Sequence, residues 1–221
     1  MSFNNEIFQV FNTSATIGLR LFLVNAPVIG PSLDVIATEV FQARKDKFIN
    51  DTLEKLNEDK IDKEYLNSIE FKNILIRTVE IVIKEVYEEK IQFYSNIIKN
   101  SLESCSEDRR YNFDYIQAFS ELSIEQLHIL IELYAIQKET ISGNRGDTLS
   151  LMLKDDVWED FIFKLNAKYD IDEDDVNFLL KRTESSGLIY EITGAYFDYG
   201  GGIYKIDKSF SKLMEKLGII I

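Results

Sequence analysis

The densest group of residues able to do chemistry is Asp170-Ile171-Asp172-Glu173-Asp174-Asp175. Its acids match the opening of a calcium-binding loop. Such a loop needs glycine at its sixth position for the sharp turn and a bidentate acid at its twelfth. Here those positions hold Asp175 and Lys181. The segment is better explained as a helix start, with Asp172 as N-cap, whose acids meet free N–H groups and the positive end of the helix dipole. His128 is the only histidine, and it has no cysteine pair or second imidazole for zinc and no nucleophile beside it. Cys105 is the only cysteine; it lies in Ser104-Cys105-Ser106-Glu107, with no basic neighbour to activate the thiol. Gly200-Gly201-Gly202 sits between two strand-like segments. A phosphate loop would open a helix there, so the three glycines are expected to form a turn. Arg145-Gly146-Asp147 is a chance tripeptide in a polar loop. Glu80 with Lys84, and Glu85 with Glu89, are spaced for single helix faces, which solvation explains. No catalytic, cofactor or metal site is expected. Tyr196, Phe197 and Tyr199 are the exception to this quiet chemistry. They alternate along a short strand, so one face must carry aromatics beside water, as a protein contact would.

The elements that must position these residues follow from periodicity. A helix is expected from Asn5 to Asn25, ended by Pro27-Val28-Ile29-Gly30-Pro31. Ser32 can cap a second helix from Leu33 to Asn57. Ser68 can cap a third, carrying Phe71, Ile74, Leu75, Ile76, Val79, Ile81, Val82 and Ile83. These apolar positions go almost all the way round and predict a central, buried helix. Glu85 to Glu103 forms a further helix or its continuation. A division near Tyr111 separates residues 1–110, an N-terminal helical bundle, from residues 111–221. Ser123-Ile124-Glu125-Gln126 has the spacing of a capping box. Two more helices follow, one with Trp158, Phe161 and Leu165, the other with Val176, Leu179, Leu180 and Thr183 and a stop at Gly187. Leu188–Ile192, Ala195–Tyr199 and Ile203–Ile206 read as strands, and Ser209–Leu217 as a closing helix.

Composition narrows the class. The 221 residues are 45% apolar and 29% charged, values at which a chain buries a core. The formal net charge is −13. Residues 1–117 contribute −5 and residues 118–221 contribute −8, so neither half has the basic footprint of a nucleic-acid or anionic-lipid binder. The single cysteine and the absence of a basic leader point to a cytoplasmic protein. The most apolar stretch, Leu21 to Ile36, has thirteen uncharged residues between Arg20 and Asp34 and is broken by two prolines. That is too short for a conventional membrane span.

Residues 123–217 resemble a winged-helix domain. The likeness is carried by the helix from Ile124, by Ser186-Gly187-Leu188-Ile189-Tyr190, and by Ile203-Tyr204-Lys205-Ile206 leading into Phe210 and Leu213. It implies a mainly α (α+β) chain whose C-terminal part ends in a small antiparallel β-hairpin. Residues 20–102 are similar to helical domains of unknown function in bacterial proteins, some associated with phage defence. Their carriers are the Pro27–Pro31 segment, Phe48-Ile49, Leu53, and Glu88-Glu89-Lys90 before Tyr94 and Ile97. That likeness implies a context and no activity.

The expectation is therefore a non-enzymatic interaction or self-association module. Its partners are another protein or further copies of itself, with no cofactor. Two alternatives are a DNA-binding regulator and a membrane-acting effector that releases Leu21–Ile36. The first meets a recognition helix that begins with four acids and places Lys181 and Arg182 only at its far end.

Overall fold

The computed structural model describes residues 19–20, 35–103, 109, 111–142, 150–152, 156–191, 203–206 and 208–219. The described residues are mainly helical. In chain order they form α1 (Val35–Lys55), a 3-10 turn (Glu58–Lys60), α2 (Lys63–Asn67), α3 (Ile69–Val82), α4 (Glu88–Glu103), α5 (Asn112–Glu121), α6 (Ile124–Ser142), β1 (Ser150–Met152), α7 (Asp156–Tyr169), α8 (Glu173–Glu184), β2 (Ile189–Glu191), β3 (Ile203–Ile206) and α9 (Lys208–Leu217). Leu19 and Arg20 are also helical. The chain divides into two units. One comprises Met1–Ser120 with Lys216–Gly218, and the other Glu121–Glu215 with Ile219–Ile221. Tyr111, the division read from the sequence, immediately precedes α5, which the first unit holds as far as Ser120.

In the first unit α1 and α4 run side by side. Lys47 Nζ meets Glu88 Oε2 (2.9 Å), Lys55 Nζ donates to Gln92 O (3.2 Å), and the Asn57 amide donates to Glu103 Oε1 (2.9 Å). Later residues of one helix meet later residues of the other, so the two are parallel, and the chain between them must return. Phe48, Ile49, Ile91, Tyr94, Ile97, Ile98 and Leu102 are buried. Small hydroxyls enter this core by donating to the carbonyl one turn back: Thr52 to Phe48 (2.7 Å), Ser95 to Ile91 (3.2 Å) and Ser101 to Ile97 (2.6 Å). The return passes through α3, whose N-cap is Ser68; its Oγ accepts from the Phe71 amide (3.0 Å).

The expectation of an all-round buried α3 is not met. Ile69 is 78% exposed and Ile76 is 39% exposed. Both fall with Glu70, Asn73 and Arg77 on the stripe opposite Phe71, Ile74, Leu75, Thr78, Val79 and Val82. The role belongs to α6, in which Leu127, Ile129, Leu130, Leu133, Tyr134 and Ile136 are all buried. Glu80 and Lys84, spaced for one helix face, do not share one. Helix α3 ends at Val82, and Glu80 Oε2 takes Arg77 (3.2 Å).

In the second unit α6 opens with reciprocal bonds. The Ser123 amide donates to Gln126 Oε1 (2.9 Å) and the Gln126 amide to Ser123 Oγ (3.2 Å). Strands β1, β3 and β2 form an antiparallel sheet in that order. Leu151 pairs with Tyr204, and Tyr190 with Lys205. Phe161, Leu165, Val176, Leu180, Phe210 and Leu213 form the core, with Tyr134 edge-on to Phe210 at 5.8 Å. Helix α8 gives way to β2 through Gly187, whose φ of +72° suits a residue without a Cβ. Among the described residues no helix is long and apolar enough to cross a membrane.

Candidate protein-interaction surface

Two of the second unit's helices carry large rings out of the core. On α7, Phe161 and Leu165 are buried while Phe163 is 70% exposed. On α8, Val176, Leu179, Leu180 and Thr183 are buried while Phe178 is 64% exposed. In each case the exposed ring sits two residues from buried neighbours, which a helix places on the opposite side. That spacing is the sequence signal that would have found both. The exposed face of α8 also carries Glu173, Asp174 and Asp175 in its first turn and Lys181 and Arg182 in its last. Lys181 is already paired with Glu191 of β2.

Beside the start of α8 lies a cleft of about 580 Å³ lined by Trp158, Glu159, Ile162, Phe163, Asn166, Asp172 and Glu173. Helical spacing builds one wall, with Trp158, Ile162 and Asn166 one turn apart on α7 and Glu159 and Phe163 on the adjacent stripe. Trp158 is held from two sides. Its Nε1 donates to Glu173 Oε1 (2.7 Å), and its ring leans on buried Phe161 at 5.7 Å. Asp172 takes the N-cap position of α8, as the sequence predicted, but makes no capping bond; its Oδ1 accepts from Asn166 Nδ2 (2.9 Å). No described cation forms an ion pair with Glu159, Asp172 or Glu173.

The first unit has a cleft of about 410 Å³ with a different balance. Its lining includes Arg77, Glu80, Lys84, Glu85 and Lys90. Glu85 is not on a helix face with Glu89, as its spacing suggested. It lies in the turn before α4, where Oε1 accepts from the amides of Val86 (2.9 Å) and Tyr87 (3.2 Å). Its Oε2 meets Lys90 Nζ at 2.9 Å, with side-chain exposures of 10% and 4%. Lys90 also lies over the Phe119 ring at 5.3 Å. Beneath it, burial first and the Glu85 carboxylate second push the Tyr94 hydroxyl far above its usual range. Such a hydroxyl stays protonated. Elsewhere in this unit Arg109 lies over the Tyr65 ring (4.1 Å) and donates to Asp62 Oδ2 (2.8 Å) and Ser101 O (3.0 Å). The Tyr65 backbone amide first and the Arg109 guanidinium second hold the Asp62 carboxyl below its ordinary range.

No protein-family model, curated protein or solved structure matches the chain.

His128 is half-buried and stacked on Tyr169, with ring centres 4.0 Å apart. Tyr169 Oη donates to Glu132 (3.3 Å), and Lys168 Nζ meets the same Oε1 at 2.6 Å. The imidazole thus fills an aromatic and ionic joint between α6 and the end of α7. Among the described residues no group of His, Cys, Asp or Glu is disposed to hold a metal ion, the Asp170–Asp175 run included. Tyr196, Phe197 and Tyr199 lie outside the described residues, as do Cys105, Arg145-Gly146-Asp147, Gly200-Gly201-Gly202 and most of Leu21–Ile36.

Proposed function

We propose that this chain is a non-enzymatic protein-interaction or self-association module, of bacterial or phage context, whose second unit uses a winged-helix arrangement for protein contact. The arrangement is supported by the order helix, strand, two helices, two strands, helix, and by the sheet order β1-β3-β2. The observation that carries the functional reading is the outer face of α8, the helix a DNA reader would set in the groove. It opens with three exposed acids and centres on an exposed phenylalanine. DNA phosphates would meet like charge there, and Phe178 would have no apolar partner. An exposed aromatic among charges is what a protein interface desolvates.

The test has two arms. The purified chain is mixed with duplex DNA at physiological salt, and its assembly state is measured by light scattering and by partner pull-down. Absence of a DNA complex, with assembly or capture lost in Phe178→Ser and helicity unchanged, supports the proposal. A sub-micromolar, salt-sensitive DNA complex that Phe178→Ser leaves intact overturns it.

A further inference from the structure

We infer that the cleft between α7 and the start of α8 receives an arginine side chain from a basic segment of another protein. The inference rests on the interaction reading above and gives its partner a chemistry. The cleft combines aromatic walls with an acidic rim that no described cation neutralises. Trp158 and Phe163 supply rings; Glu159, Asp172 and Glu173 supply charge. Among the described residues, the side-chain partners of the last two within the cleft are neutral: the Asn166 amide and the Trp158 indole. Each of these bonds engages one oxygen of its carboxylate and fixes the group's orientation. The other oxygen remains available to a donor.

Local pairing makes the contrast sharper. One turn along α7, Asp160 takes Lys164 at 2.8 Å. The same helix therefore neutralises an acid on one stripe, while on the next no described cation pairs with Glu159. A planar guanidinium satisfies all three features of the cleft: it stacks on an indole, forks onto a carboxylate, and loses less hydration than an ammonium. A lysine would supply only a point charge. A phosphate-bearing ligand would meet three carboxylates. A second copy of the chain brings a net charge of −13, which opposes its approach to an acidic cleft. A heterologous basic segment is the occupant that the charge favours.

Trp158 is the only tryptophan in the chain, so it reports on the cleft directly. The full chain is titrated with a synthetic decapeptide bearing three arginines, and Trp158 emission is followed. The same peptide with lysines, and with glutamates, serves for comparison. The expected result is a saturable emission change with the arginine peptide, weakened by salt and about three-fold or more weaker with lysine. Asp172→Asn with Glu173→Gln should weaken binding about ten-fold or more, because it removes two charges. Both substitutions keep an oxygen to accept from Asn166 and Trp158, so the thermal midpoint should stay near that of the parent.

Absence of a saturable change with the arginine peptide, or equal binding by the charge-free variant, overturns the inference. So does an emission change that depends on protein concentration without peptide, which would assign the cleft to a second copy. If the peptide fails while Phe178→Ser still abolishes assembly or capture, the interaction module stands and only this assignment falls. If both fail, the module falls with it.

Discussion

The two clefts treat charge in opposite ways. In the first unit Glu85 and Lys90 neutralise one another with both side chains nearly out of water, and Phe119 covers the ammonium. In the second, Glu159, Asp172 and Glu173 face a similar volume of open space, and no described cation pairs with them; Asp172 and Glu173 take neutral donors. A charge buried with its partner serves the fold, because removing either member strands the other. A charge held in position without a counter-ion contributes little to the fold. It remains available to something that arrives later. The presence of acids therefore says less about function than whether the protein has already answered them.

That contrast can be broken most forcefully at Lys90. Lys90→Ala should cost about 3–5 kcal/mol by leaving Glu85 buried without its cation, read as a fall in the urea midpoint. Asp172→Asn with Glu173→Gln should stay within about 0.5 kcal/mol of the parent in the same experiment. Reversed magnitudes would mean that the two clefts have been assigned the wrong roles. At the exposed face of α8, Phe178→Ser should weaken partner or self-contact by about 2 kcal/mol while leaving folding stability nearly unchanged. Light scattering together with circular dichroism separates those two effects.

The next effect concerns how the second unit begins. Its capping box uses neutral groups, so Ser123→Ala should cost about 1 kcal/mol at any ionic strength. A cost that shrinks in high salt would show that charge matters there too. The smallest effect is at Asp62, whose side chain is 40% exposed and therefore screened. Its carboxyl is held below the ordinary range, chiefly by the Tyr65 amide and then by Arg109. A depressed folded value means that the contribution is present above the unfolded value, about pH 3.9, and fades as pH falls through the folded one. Asp62→Asn should thus be less stable than the parent by about 0.5–1 kcal/mol near neutrality, and the gap should close in acid. A gap that persisted below both values would assign the effect to packing.

Local chemistry was the part of this fold most legible in the sequence. Ser68 and Ser123 cap the helices they precede because a hydroxyl three residues before an amide has one geometry available to it. Which helix is central was not legible. The apolar run from Phe71 to Ile83 looks continuous around the axis, yet Ile76 is exposed. Helix α6, which carries Gln126 and Glu132, is the one buried on more sides. Those two polar groups are tolerated because Gln126 Nε2 donates to Thr183 Oγ1 (2.9 Å) and Glu132 accepts from Lys168 and Tyr169. Such partners lie 36 to 57 residues away and leave no local trace. The buried hydroxyls of Thr52, Ser95 and Ser101 mislead for a similar reason: each reads as a surface residue until its bond to the preceding turn is seen. The cleft was half legible. Asp172 and Glu173 stand out in the sequence as part of a helix start, but nothing local shows that Trp158 and Phe163, one helix away, line the same cleft.

The parallel pairing of α1 with α4 has a kinetic consequence. Antiparallel neighbours can close through a short turn, but parallel ones must wait for the intervening chain. Lys47 and Glu88 are 41 residues apart, and Asn57 and Glu103 are 46 apart. Bringing them together sacrifices chain entropy before the shared core repays it. Helices α2 and α3 span that interval, so their early formation shortens the effective loop. Ser68, a cap on the returning helix, thereby bears on how fast α1 and α4 find each other as well as on how firmly α3 begins.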